Sequence, residues 1–368
     1  NKTIVCVDRI RSYPLFYTKN DSGISFSNCA IKLKKKYQLN SKDEENNLIF
    51  QMSGNTFGNS TLYMNLFQIE PGTYICIKNN LFKINNYYSF YNTNKNTKSK
   101  NQLIEQLHEV NKKTFSNLIN ILDGRQIVIP LSGGFDSKLI LAFLKEYKYK
   151  NIKTYSYGIK GTWDVKAAKA TADFLKVDWD YIEYDFKKVK NIFHSDDRKE
   201  YFLYASGLNT TPDLTGYFAH KLLGKNKYDI DAVIVNGQSG DFVSGGHIPF
   251  SEDYLNTKYK LKDLLKYFFN KHYMLWENLF TNKNKDLLIK KITSIIKKEY
   301  ESSLTAQEFA DIFEYLEWKE RQSKFIVNGS RMYEWFNLDW ELPLWSDEYL
   351  FFWERIPLKH KVNQNLVN

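Results

Sequence analysis

Over residues 1–91 the apolar positions fall in short runs broken by turn residues. Thr3 to Val7 is a β-branched run, and Ile24-Ser25-Phe26 follows the Ser22-Gly23 turn. Thr73 to Ile77 follows Pro71-Gly72, and Phe82 to Ile84 lies beyond Asn79-Asn80. This pattern predicts antiparallel strands joined by turns. Residues 92–102 carry no apolar side chain. They predict a solvated linker between a first unit, 1–91, and a second, 103–368.

Beyond the linker the period changes. Leu103, Leu107, Val110, Phe115, Leu118 and Ile119 recur at helical spacing. Gln126 to Ile129 is an apolar strand, followed by a helix with Leu139, Ala142, Phe143 and Tyr147 on one face. Ile152 to Ile159, Asp180 to Tyr184 and Asp231 to Val235 read as further strands, and Asp164 to Leu175 as an alanine-rich helix. Strands alternating with helices predict an α/β fold, a parallel sheet with helices on both faces. The last hundred residues read as mostly helical, with Trp and Tyr filling the core. The whole is thus a parallel-sheet domain with a helical C-terminal part, preceded by a partial antiparallel β domain.

Composition narrows this picture. Apolar residues make up 43% of the 368, enough for a folded core. The most aromatic stretch, Tyr349 to Trp353, is short and flanked by charges, so no membrane span is expected. With no signal peptide, the default location is cytoplasmic. A chain that begins with Asn1 rather than Met reads as processed or as a fragment. Cys6, Cys29 and Cys76 form no Cys-x-x-Cys pair, so a zinc or redox site is not expected. They read instead as buried small hydrophobes. The net charge of +10 comes mostly from residues 1–100, and Lys34-Lys35-Lys36 is its one tight run. A solvated face is the reading preferred to a nucleic-acid patch.

Candidate chemistry centres on Ser132-Gly133-Gly134-Phe135-Asp136-Ser137, between the first strand and its helix. Gly133 and Gly134 let the backbone approach an anion, and a helix N-terminus supplies N–H donors. Ser132 and Ser137 can add hydroxyl donors. Asp136 would repel phosphate directly, so a bridging Mg²⁺ is its natural partner. The competing reading is an ordinary Gly-Gly turn between strand and helix.

This loop resembles the SGGxDS signature of N-type ATP pyrophosphatases (the PP-loop fold), and it lacks the Gly-Lys-Ser/Thr ending of a Walker loop. Asn236 to Gly246 is similar to the asparagine-synthetase segment SGEGSDEIFGG, with Asp241 on the second metal-binding aspartate and Gln238 where a glutamate is usual. A glycine-rich surface loop is the plainer alternative there. Val7 to Tyr17 resembles the RDRFGxRPLYY segment of class II glutamine amidotransferase domains, and Phe26-Ser27-Asn28-Cys29 its FASE stretch. Phe67 to Gly72 resembles the later GIxxLPPG turn, and Trp340 to Asp347 the RxPFLD-type stretch near the other end. The chain is therefore similar to the glutamine-hydrolysing asparagine synthetase family. It looks most like the asparagine-synthase-like proteins of bacterial surface-polysaccharide clusters.

The resemblance implies an ATP-dependent ligase. A carboxylate attacks the α-phosphorus of ATP, an acyl-adenylate and pyrophosphate form, and ammonia or another amine displaces AMP. It implies ATP and Mg²⁺ as cofactors, with Ser132, Gly133, Gly134, Asp136, Ser137 and Gly158 on the nucleotide. Asp136 and Asp241 would hold the metal, and Gln238 and Asp241 are the expected catalytic residues. The acceptor would be a small-molecule or sugar carboxylate. Nucleic acid is not expected as a partner, and the resemblance allows a homodimer. Two departures matter. The family's glutaminase uses an N-terminal cysteine, and Cys6 is internal to a strand, so no glutaminase site is expected. The family's C-terminal lysine falls at about Gln364 or Asn365, with Lys359 and Lys361 nearby but out of register. Two further readings stay open: an inactive nucleotide-binding scaffold or partner, motivated by Gln238 and the lysine, and a tRNA-modifying pyrophosphatase, motivated by the charge.

Overall fold

A computed structural model describes residues 2–20, 23–78, 81–91, 96–224 and 227–367. Ser22, Asn79, Asn80 and residues 92–95 of the expected turns and linker lie outside these.

The centre is a five-stranded sheet. Its strands are β1 (Ile127–Pro130), β2 (Ile152–Gly158), β3 (Asp178–Glu183), β4 (Val233–Val235) and β5 (Asp339–Glu341), in the order β5-β4-β1-β2-β3. All neighbours run parallel. Ile127, Val128 and Ile129 have no exposed surface, as an unbroken apolar run in a covered parallel sheet requires. β5 was not expected. It overlaps the start of the Trp340 to Asp347 segment and is recruited by pairing with β4.

Two helices place the first loop and its neighbour. Phe135–Glu146 is α1, and Trp163–Leu175 is α2. Ile140, Leu141 and Leu144 of α1 and Ala168 and Ala172 of α2 join the strands in one buried core, together with Leu103, Phe115 and Leu118 of the helix Lys100–Leu122. That helix starts inside the expected linker, at a Ser99–Gln102 capping box.

The order of the sheet matters most for function. From β1 the chain adds β2 and β3 on one side, then returns to add β4 and β5 on the other. The switch of direction falls between β1 and β4, where open parallel sheets leave a crevice at the carboxyl ends of the strands.

The first 91 residues supply two three-stranded antiparallel sheets. One joins Lys2–Cys6, Thr73–Lys78 and Leu81–Asn86; the other joins Gly23–Ser27, Phe16–Asn20 and Phe67–Gln68. Two helices, Ala30–Lys36 and Glu44–Ser53, lie where only strands and turns were read. The segment also shares its core with the rest of the chain: Ile49, Met52 and Phe57 pack with Leu264, Phe268 and Phe313. The expectation of three buried cysteines is not met. Cys6 is exposed, because Lys2–Cys6 is an edge strand with little cover, and Cys29 and Cys76 are half-buried. No helix among the described residues is long and apolar enough to cross a membrane.

Candidate active site

The two glycine-rich loops leave β1 and β4 side by side, at the switch point. Their closest link is a hydrogen bond from the Asp241 backbone N–H to Asp136 Oδ2, 3.0 Å. Glycine is needed for this approach. A Cβ at Gly240 would lie 2.5 Å from Asp136 Cγ, and one at Gly237 would lie 2.9 Å from the Asp136 carbonyl carbon. The second loop is thus a close backbone packing against the first, not a loose surface turn. Between those glycines Ser239 is held at a φ of 69°, sparsely populated for a side-chain-bearing residue, with Oγ donating to Gln322 Oε1 at 2.7 Å.

The first loop is ordered by its own groups. The Ser132 N–H donates to Ser137 Oγ at 3.1 Å, and the Gly134 N–H to Ser132 Oγ at 3.2 Å. The α1 helix opens without a side-chain cap, which leaves first-turn N–H groups for a ligand or water. Two residues not singled out from sequence complete it. Asp164, in the first turn of α2, accepts the Gly133 N–H at 2.6 Å, and Lys138 Nζ donates to the Gly133 carbonyl at 2.8 Å. Gly158 closes β2 at the same end of the sheet with a φ of 133°, its carbonyl accepting from the Tyr184 N–H at 2.9 Å.

Electrostatics separate the two aspartates. Burial, then the charge of Asp241, pushes Asp136 up to about 7, against the opposing Asp241 N–H. Burial alone would also raise Asp241, but His247 outweighs it by hydrogen bond and charge, so Asp241 sits below the usual carboxylate range. His247 Nε2 lies 3.2 Å from Asp241 Oδ2, and its Nδ1 lies 3.1 Å from Glu317 Oε2. Burial opposes charge on His247, yet the two carboxylates raise it to about 9. Glu317 is buried and also meets His272 Nε2 at 2.6 Å and Lys271 Nζ at 2.7 Å. It begins a ten-residue π-helical segment, Glu317–Ile326, a form rare at such length and common at functional sites.

Gln238 is held by two partners. Its Nε2 donates to Ser330 Oγ at 3.1 Å, while its N–H is fixed by Asn236 Oδ1 at 2.9 Å. Of the C-terminal candidates, Lys361 is buried on Glu314 and Lys359 is exposed. Gln364 reaches the second loop, donating to Ser244 Oγ at 2.6 Å. A cavity of about 620 Å³ opens instead at the amino end of the sheet, beside His220, Trp335 and Phe336. It contains none of the loop residues and so lies apart from the paired aspartates.

A family model described as asparagine synthase matches residues 122–366, well over half of the chain. That span covers both loops and all five strands of the central sheet. No curated protein matches the chain.

Proposed function

The chain belongs to the asparagine synthase family, and on that premise we propose that it is an ATP-dependent amide-forming ligase acting through an acyl-adenylate. The observation that carries the reading is the pairing of Asp136 with Asp241 across the switch point. The first-turn N–H groups of α1 would hold the phosphates, Gly133 and Gly134 would let them approach the backbone, and Ser132 and Ser137 would be further donors. Gly158 would line the nucleotide at the end of β2.

The residues suit Mg²⁺. Asp136 and Asp241 are hard oxygen donors, and burial, then repulsion from Asp241, lifts Asp136 to about 7, a penalty on its charge that a divalent cation would offset. Among the described residues no group of three His, Cys, Asp or Glu side chains forms a metal cage. A cation on the two carboxylates would be completed by substrate phosphates. When bound, it would offset charge on the departing pyrophosphate. The chain's own contribution would be positioning: the loops would hold the α-phosphorus and the acceptor carboxylate in line.

We read residues 1–91 as related to class II glutamine amidotransferase β domains. Cys6, at the exposed end of an edge strand, has no catalytic role in this reading. The acceptor is a carboxylate, and the nitrogen donor ammonia or another amine. A second reading, a nucleotide-binding partner with weak or no turnover, is favoured by one observation: the Gln238 amide is engaged by Ser330. Pyrophosphate release from Mg·ATP, measured with ammonium and a panel of carboxylates, separates the two. Asp136-dependent release supports the ligase. Nucleotide binding without release from any pair supports the second reading.

A further inference from the structure

We propose that His247 is a positioning residue for the Asp241 carboxylate, anchored in turn by Glu317 at the head of the π-helical segment; this rests on the assignment of Asp136 and Asp241 to Mg²⁺.

Four features of the geometry point to it. The imidazole bridges two carboxylates through its opposite nitrogens, Asp241 Oδ2 at 3.2 Å and Glu317 Oε2 at 3.1 Å. The ring plane is fixed by the Phe242 ring, which meets it edge-on at 5.6 Å. The anchor is itself fixed: Glu317 has no exposed side-chain surface, and its other oxygen is held by His272 and Lys271. Finally, the segment that carries Glu317 grips the same loop elsewhere, through Gln322 on Ser239 Oγ. Ser330, just beyond that segment, accepts from Gln238.

The consequence follows from the carboxylate's partners. Asp241 Oδ1 accepts the Phe242 N–H at 2.8 Å, and Oδ2 takes His247. Both oxygens are thereby aimed, and each keeps a lone pair for a cation. A free carboxylate on a short helix would sample several rotamers, and binding a metal would cost the ordering of that side chain. Partners behind a metal ligand commonly set its affinity in this way. His247 therefore tunes the metal without touching substrate.

The test exploits the two ring nitrogens. His247→Gln places an amide N–H near the Nε2 position, so it keeps the bond to Asp241 and loses the one to Glu317. His247→Asn places it near Nδ1, so it keeps the anchor and loses the carboxylate. The readout is Mn²⁺ affinity in the presence of ADP, by calorimetry, with ADP affinity in EDTA as the control. His247→Ala and His247→Asn should weaken Mn²⁺ by about tenfold or more, while His247→Gln stays close to the unsubstituted protein. ADP affinity in EDTA should be unchanged in all three. A merely structural His247 would make Gln and Asn equally defective, and no loss in the Ala variant would also overturn the proposal. Asp241→Asn distinguishes the premise. If it binds Mn²⁺ normally, the metal assignment fails; if it does not, and the His247 variants do, only the role of His247 fails.

Discussion

The backbone N–H of Asp241 lies 3.0 Å from Oδ2 of Asp136 and donates to it, tying two loops that are 105 residues apart into one acidic site. Each aspartate should be indispensable if, as proposed, the two carboxylates are the protein's ligands to the cation. Asp136→Ala and Asp241→Ala are expected to reduce Mg²⁺-dependent pyrophosphate release to background while far-ultraviolet circular dichroism stays unchanged. Wild-type rates in both variants would remove the metal assignment.

Gly240→Ala should damage the same site through shape alone. The added methyl would sit 2.5 Å from Asp136 Cγ and 2.5 Å from Leu344 Cδ1, so the Asp136 carboxylate and the Leu344 side chain must shift, or the loop with them. Forcing a methyl into a packed position typically costs about 1–3 kcal/mol. The expected result is a lower urea midpoint together with weakened Mg·nucleotide binding. A variant with both properties intact would mean that the loops are not held in register.

Much of this arrangement could be read from sequence, and the parts that could not share a cause. Ile127, Val128 and Ile129 announce a covered strand, and Gly133-Gly134 before an apolar helical face announce the strand–helix turn. Asp43 before Glu44–Ser53 and Gly54 after it are ordinary start and stop signals, masked by a run of turn-like residues nearby. In Ala30–Lys36, Ile31 and Leu33 alternate with lysines and mimic a strand. The strand Asp339–Glu341 has only three residues and exists because β4 offers it an edge. Motif position located Gln238 but could not give the direction of its side chain. His247 and Glu317 are seventy residues apart, and no local pattern links them; only packing brings them together.

Acid should weaken the fold through His220. This side chain is 4% exposed. Its Nδ1 lies 3.0 Å from the Gly216 carbonyl, and its ring is stacked on Phe336. Burial lowers it from 6.5 to about 4, partly offset by the Gly216 bond. Between those values the unfolded chain binds the proton and the folded chain does not. The stabilisation is therefore complete above 6.5 and is lost as pH falls towards 4, by about 2–3 kcal/mol. His220→Phe keeps the stacking and removes the titration. Urea unfolding at pH 7 and at 4.5 should show a smaller acid loss in the Phe variant than in the parent. Equal losses would mean that His220 takes up its proton as readily in the folded state as in the unfolded chain.

Gln238 offers the sharpest test of whether this chain is a competent ligase. An amine attacking an acyl-adenylate must shed a proton, and a glutamate at this position could accept it. A glutamine amide has nearly the same shape but is no base at neutral pH. Here it donates to Ser330 Oγ, an arrangement a glutamate can reverse by accepting from the hydroxyl. The exchange should therefore be tolerated by the fold. Loss of general-base help typically costs about 10²–10⁴-fold in rate, whereas nucleotide affinity depends on the loop amides and the two aspartates. Gln238→Glu is thus expected to raise amide formation without changing ATP affinity. The comparison is made at saturating ATP and ammonium, with amide and pyrophosphate followed together. Equal rates, or a slower Glu variant, would show that residue 238 only closes the turn fixed by Asn236, and that any base comes from another residue.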